Sequence, residues 1–207
     1  MMSSFFSRFK KSDKLPDCND LYVKYVHKWD DNPDHQILIV KPDMLQSFDP
    51  GTDFSTIVDR TDRGYLQIKK QIETMTSAAR EDLQEIAKFD EFNLESIDQL
   101  DKAIDRRYIK GIISASDTND GSNHYLISII EFGCALSVAI ENEIGGFVWV
   151  YDHPYWESTI VHKKTGFEIP VFHWAIKKFS EYGVDDGYKD KILALKQTLE
   201  DENSLLQ

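Results

Sequence analysis

The sequence has few of the residues that build disulfide, metal and nucleotide sites. Only Cys18 and Cys134 occur among its 207 residues, without a CxxC pair, so a disulfide framework is excluded and a reducing cytoplasm is the expected compartment. A GxSxG nucleophile elbow, a Walker loop and a dinucleotide GxGxxG fingerprint are also missing. We therefore expect no cofactor and favour a protein that is not an enzyme.

Basic residues are too few for a nucleic-acid binder. The chain carries 24 Lys and Arg against 36 Asp and Glu, a net charge of −12, whereas binding to phosphates requires an excess of cations. Nine acids and three bases lie between Arg80 and Asp105, which predicts a negative outer face on the helices of this region. Such a face suits a basic protein partner, or simply keeps the chain soluble.

The N-terminal segment contrasts with this acidic remainder. Residues 1–16 carry four bases and one acid, and we expect them to form a flexible basic arm. An alternative is one amphipathic turn in which Phe5, Phe6 and Phe9 make weak contact with an anionic membrane. The segment lacks the apolar centre of a signal peptide, and no apolar run of transmembrane length is evident in the chain.

Helical periodicity dominates the region from residue 17 to 110. Apolar residues at spacings of three and four predict a helix over 62–89, either continuous or broken near Thr76, and a second helix over 94–108. The apolar stretch 21–29 fits a strand or a short helix equally well. HQILIV at 35–40 is typical of a strand.

The most apolar helix of the chain is predicted at 124–144. Apolar residues surround nearly its whole circumference, which is typical of a central helix. Ser122 or Asn123 is expected to cap its start, and Gly145 to end it. Gly133 costs helix stability, so we expect a neighbouring element to approach closely there.

The segment after this helix alternates as a strand does and contains clear turn residues. FVWVY, WESTIVHK and GFEIP predict a three-stranded antiparallel meander, with KKTG as a type I turn closed by a glycine bulge. Two helices follow, one beginning at Pro170 and ending at Gly183, the other capped by Asp185 or Asp186. The prediction is therefore a single α+β domain over 17–207, with a helical N-terminal half (17–110) and a helix-meander-helix-helix half (111–207).

Histidines and acids of the meander are candidate metal ligands. Imidazole and carboxylate groups form ordinary zinc or iron shells, and the candidates are His153, His162, His173, Glu157 and Glu168. Their spacings match no compact ligand motif such as HExxH. The favoured interpretation is structural, because the KKTG hairpin is expected to place His162 opposite Glu168 as a cross-strand charge pair.

Aromatic residues are the other candidate site in this region. Tyr155, Trp156 and Trp174 lie where the strand faces are mixed, and Tyr and Trp combine a large contact area with a polar group at protein interfaces. These three are our candidates for an exposed binding surface, although core packing is the favoured reading.

Glu131 interrupts the apolar pattern of the central helix. It shares a narrow stripe with Ser128, Ala135 and Asn142, and we expect this stripe to be the one face of the helix that reaches water. A solvated or salt-bridged Glu131 is accordingly favoured over a catalytic one.

The segment from residue 125 to 190 resembles uncharacterised bacterial domains of unknown function. A helix containing a glycine leads to a Trp-containing strand, a hairpin and a helix with paired basic residues; the markers are Gly133, Trp149, Thr165-Gly166, Pro170 and Lys177-Lys178. The resemblance implies a bacterial cytoplasmic protein and carries no activity with it.

Two functions follow from these features. The favoured one is a non-enzymatic protein-binding module of the immunity or secretion-accessory type, because catalytic motifs are missing and the helical surface is acidic. The alternative is a metal-dependent or small-molecule enzyme that uses the histidines and glutamates of the hairpin.

Overall fold

The computed structural model of the chain describes residues 14–26, 63–152 and 155–205. Within these ranges it is an α+β fold with seven α-helices and a three-stranded antiparallel sheet, as predicted. The helices are α1 (Cys18–Tyr25), α2 (Arg63–Gln84), α3 (Leu94–Ala103), α4 (Arg106–Ala115), α5 (His124–Glu143), α6 (Val171–Lys178) and α7 (Tyr188–Leu205). The strands are β1 (Phe147–Val150), β2 (Thr159–His162) and β3 (Glu168–Ile169). The predicted strand at 35–40, the aromatic residues Phe5, Phe6 and Phe9, and His153 lie outside the described residues.

Helix α5 is the centre of the fold, as its apolar circumference predicts. It begins after Asn123, whose side chain accepts a hydrogen bond from the amide of Leu126 at 2.9 Å, and it ends before Gly145, which has a φ of 75°. Helices α2, α3, α4, α6 and α7 all pack against it. By length and composition α5 could cross a membrane, which corrects the expectation that no such segment exists, but 72% of its apolar window is buried inside the fold.

Two helices occupy the stretch for which one was predicted. The chain breaks after Ala103 because Ile104 leaves the helical conformation and Asp105 begins a new helix, its carboxylate accepting a hydrogen bond from the amide of Tyr108 at 2.8 Å. Apolar spacing alone continues through this break, since Ile104 and Ile109 are both buried. Helix α2, in contrast, runs without a break past Thr76, and α1 resolves the ambiguous stretch at 21–25 as helix.

The sheet has the order β1-β2-β3, and its register corrects one predicted pair. Val161 lies opposite Glu168, and His162 donates its amide to the carbonyl of Phe167 at 2.9 Å. Four residues, Lys163 to Gly166, therefore form the loop, and His162 does not face Glu168. Because successive strand residues point to opposite faces, a shift of one residue places these two side chains on different sides of the sheet.

A buried ion pair and its hydrogen bonds join helices α3, α6 and α7. Lys178 on α6 is 1% exposed, and its ammonium lies 3.3 Å from Oδ1 of Asp101 on α3. The same ammonium donates to the carbonyls of Asp101 and Val184, while Asp101 accepts a hydrogen bond from the amide of Tyr188 at 2.7 Å. Burial raises the pKa of Asp101, and the ammonium of Lys178 opposes that rise.

Candidate functional site

A pocket of about 460 Å³ opens between α2, α5 and the short 3-10 helix Tyr155–Glu157. Four residues of α2 line it at helical spacing: Gln71, Met75, Ala78 and Asp82. Helix α5 contributes Ile127, Ile130 and Glu131 from one of its faces, and Tyr155 and Trp156 contribute from the 3-10 helix. We call this cavity the carboxyl pocket, because Glu131 and Asp82 bring the only acidic side chains to the lining described here.

The two carboxyl groups of the pocket interact with each other. Burial raises the pKa of Glu131 to about 8, and a hydrogen bond to Asp82 together with the charge of Asp82 adds to the rise. Glu131 is therefore protonated at neutral pH and donates to the Asp82 carboxylate. No lysine or arginine forms an ion pair with Glu131 in the part of the chain that the structure describes.

This arrangement corrects the predicted water-facing stripe on α5. Ser128 is 6% exposed and Ala135 is fully buried, so only Asn142 of that stripe is exposed to solvent. The sequence pattern failed because α2 covers this face of α5, and the pairing of two distant segments leaves no mark on the periodicity of either one. Glu131 is consequently partly buried at the pocket, and it forms no ion pair with a lysine or arginine among the described residues.

Three further titratable side chains surround Glu131. The hydroxyl of Tyr108 on α4 and the hydroxyl of Tyr155 both have a raised pKa, chiefly because they are buried. Burial also raises the pKa of the Cys134 thiol, one turn along α5, to about 12. All three groups are neutral at physiological pH, so Asp82 is the dominant charge acting on Glu131.

The candidate metal ligands are only partly brought together. Glu157 and His173 meet, with 2.9 Å between Oε2 and Nε2, and the hydroxyl of Tyr22 donates to Oε1 of the same glutamate at 2.9 Å. His162 lies elsewhere, with Nδ1 3.0 Å from the hydroxyl of Thr165 and its ring against Phe147. Among residues 14–26, 63–152 and 155–205, no three His, Cys, Asp or Glu side chains group as a metal site. His153 lies outside these ranges, so the metal alternative stays a prediction.

The candidate surface aromatics are more buried than an exposed contact requires. Trp156 is only 5% exposed and belongs to the core, in line with the core packing that the sequence favours over an exposed contact. Tyr155 and Trp174 are half-buried and pack against the same core. The physical reason is that Pro154 is followed by a 3-10 turn, not by a strand, and this turn directs Trp156 inward.

No protein-family model, curated protein or solved structure matches the chain, and the resemblance to bacterial domains of unknown function therefore stays a prediction. The carboxyl pocket, with Asp82 and Met75, was missed by sequence reasoning. The signal that could have found it is Glu131 itself, a lone acid in the most apolar helix, where an unpaired charge is costly and a changed pKa is expected.

Proposed function

We propose that this protein is a non-enzymatic module that binds a basic protein partner. The observation that carries the proposal is an acidic face along the end of α2, the following loop and the start of α3. Its exposed acids are Glu81, Asp82, Glu85, Asp90, Glu91 and Glu95.

Few cations interrupt this acidic face. Only three bases occur between residues 80 and 105, and one of them, Lys102, is held by Asp98 at 2.5 Å. One cation reaches the face from α7, where the ammonium of Lys189 lies 3.9 Å from Oε2 of Glu95. A predominantly acidic surface attracts a basic partner over about 8 to 10 Å at physiological salt and accelerates the encounter. An immunity or secretion-accessory role fits this physics, because such proteins neutralise or escort a basic partner.

Affinity purification from source cells tests the proposal, with the charge-reversal variant Glu85→Lys on the acidic face. Glu200→Lys is the matched control, because Glu200 is equally an exposed glutamate but lies on α7. We expect one stoichiometric basic protein to co-purify at low salt with the wild type and with Glu200→Lys. It should be lost with Glu85→Lys and with the wild type at high salt.

Two outcomes would contradict the binding proposal. One is the recovery of no stoichiometric partner at low salt. The other is a partner that remains equally bound to Glu85→Lys, since binding would then not depend on the acidic face.

A second function, a metal-dependent or acid-base enzyme, is favoured by one contact. The carboxylate of Glu157 orients the ring of His173 at 2.9 Å, and the His173 side chain is 41% exposed, which is the arrangement of a histidine that is held for proton transfer or for ligation. Elemental analysis of native protein tests the metal version. Stoichiometric zinc, iron or manganese that is lost in His173→Ala would support it, and a metal-free native protein would remove it.

A further inference from the structure

The carboxyl pocket is continuous with the acidic face, because Asp82 belongs to both. Asp82 is an exposed residue in the last turn of α2, three residues before Glu85 in the following loop, and its carboxylate interacts with Glu131 at the pocket. A partner held on the acidic face would therefore lie beside the pocket entrance. Among the lining residues that the structure describes, none is a lysine or an arginine, so the pocket has acidic groups and no cation of its own.

The walls of the pocket suit an apolar stem. Met75, Ile127 and Ile130 supply aliphatic surface, and the ring of Tyr155 closes one side. Ile127 is 37% exposed although it is large and apolar, which places hydrocarbon surface at the entrance. A lysine side chain buries its four methylene groups along such a surface while its charged end reaches a carboxylate.

The residues that line the pocket also favour lysine over arginine as the bound side chain. Arginine is favoured where a planar guanidinium can stack on an open aromatic face. Trp156 offers no such open face, because it is 5% exposed and packed in the core. The half-buried ring of Tyr155 is already in edge contacts with Trp156 and Phe172, at centroid distances of 4.9 and 6.5 Å. A compact ammonium on a flexible aliphatic stem fits the remaining walls better.

We propose that the carboxyl pocket takes up the ammonium group of a lysine side chain from the basic partner, with Asp82 and Glu131 as its acceptors and Met75, Ile127 and Ile130 around its stem. This inference rests on the proposed function, since the acidic face delivers the lysine to the pocket.

Uptake of the ammonium is coupled to the release of a proton. Glu131 is protonated below about pH 8, and the groups that face it are Asp82 from α2, Tyr108 from α4, Tyr155 from the 3-10 helix and Cys134 from α5. A bound cation favours the ionised carboxyl group and so lowers its pKa. Binding therefore strengthens as pH rises toward 8, while a lysine ammonium, with a reference pKa of about 10.4, stays charged.

Titration of the full chain with Nα-acetyl-lysine methylamide tests the inference, with the side-chain carboxyl carbon resonances of Glu131 and Asp82 followed by NMR. We expect saturable shifts of both resonances and an affinity that increases about tenfold between pH 6 and pH 8. Nα-acetyl-norleucine methylamide is the neutral control for the stem and should give no saturable shift. Equal binding of the norleucine probe, or tighter binding of the arginine analogue, would overturn the assignment.

Variants separate this inference from the proposed function. Glu131→Gln and the exposed Asp82→Asn should each weaken binding of the lysine probe about tenfold. Glu200→Gln, on α7 and outside both the pocket and the acidic face, should leave the affinity for the probe unchanged. Unchanged affinity in both pocket variants would overturn the inference. The lysine probe could show no saturable binding while Glu85→Lys still abolishes capture of the partner. That result would contradict uptake of a lysine by the pocket and would leave the proposed binding module standing.

Discussion

Gly133 on α5 lies so close to Phe172 on α6 that no side chain fits between the two helices. A Cβ atom at Gly133 would be 2.5 Å from Cδ1 of Phe172 and 3.3 Å from its Cα. Phe172 cannot withdraw easily, because its ring is stacked on Trp149 at a centroid distance of 5.8 Å and is fully buried. The sequence predicted a close neighbour at this glycine, and the structure identifies it as α6.

Replacement of Gly133 by alanine is therefore expected to destabilise the fold. Overpacking of a core typically costs about 1 to 3 kcal/mol, which here exceeds the gain of about 1 kcal/mol in helix propensity. Chemical denaturation gives the free energy of unfolding. The control is Gly111→Ala on α4, where a Cβ would meet nothing within 4 Å, and that variant should be as stable as the wild type or more so. Equal effects of the two substitutions would contradict the close contact.

Removal of the buried ammonium of Lys178 should substantially lower the free energy of unfolding. Lys178→Met removes the cation beside the Asp101 carboxylate, which keeps the amide of Tyr188 as a donor, and it removes the donor to two carbonyl groups. Loss of one partner from a buried ion pair costs about 3 to 5 kcal/mol. Chemical denaturation of Lys178→Met, Asp101→Asn and the double variant measures the energetic coupling between the two side chains. The double variant should be less destabilised than the sum of the single ones. Lys102→Met, from an exposed pair with Asp98, should have little effect.

The stability of the fold should depend on pH through Glu131. In the unfolded chain a glutamate loses its proton near pH 4.3, whereas Glu131 keeps its proton up to about pH 8 in the fold. Between these values the folded state binds more protons, so stability falls as pH rises and the loss is complete above about pH 8.

The glutamine side chain of Glu131→Gln cannot ionise, so this variant should not lose stability through that residue as pH rises. Relative to the wild type, the variant should gain about 2 kcal/mol between pH 5 and pH 8, a value reduced for the partial exposure of the group. Denaturation midpoints at several pH values measure the difference. Glu85→Gln, at an exposed glutamate in the loop after α2, is the control, and its stability should change with pH as that of the wild type does. A Glu131→Gln curve parallel to the wild type as well would show that the carboxyl group ionises normally.

The two thiols should differ in reactivity. Cys134 is fully buried and its pKa is raised to about 12, so it is neither ionised nor accessible at pH 8. Cys18 is half-buried and free, and burial raises its pKa as well. In the variant Cys18→Ser, a disulfide reagent should find no reactive thiol in the native protein and one after denaturation. Rapid modification of the native variant would mean that the core around α5 opens readily.

Local chemistry was enough to predict most helices and strands. The cap at Asn123, the end of α5 at Gly145 and the glycine at Gly166, with a φ of 72°, all depend on a few neighbouring residues, and these are present in the sequence. The break between α3 and α4 escaped detection because buried residues continue at helical spacing across it. The register of the hairpin was not predicted correctly, because one residue more or fewer in the loop changes every cross-strand residue pair.

The candidate site was far less predictable than the fold. Glu157 and His173 were recognised as chemically capable residues, yet the hydrogen bond between Tyr22 and Glu157 joins positions that are 135 residues apart in the chain. The meeting of Asp82 and Glu131 is likewise a product of the packing of α2 on α5. The residue types identify candidate side chains in the sequence. Whether two of them lie close enough to share a proton or a ligand depends on tertiary packing.

The sequence by itself determined the α+β composition of this protein, its central helix and its acidic character, because propensity, periodicity and charge are properties of short segments. Only the tertiary structure decided that Trp156 is buried, that Glu131 is protonated at neutral pH and that a pocket lies beside the acidic face. Burial and pKa depend on which distant surfaces exclude water from a side chain, and that exclusion arises only when the helices pack together.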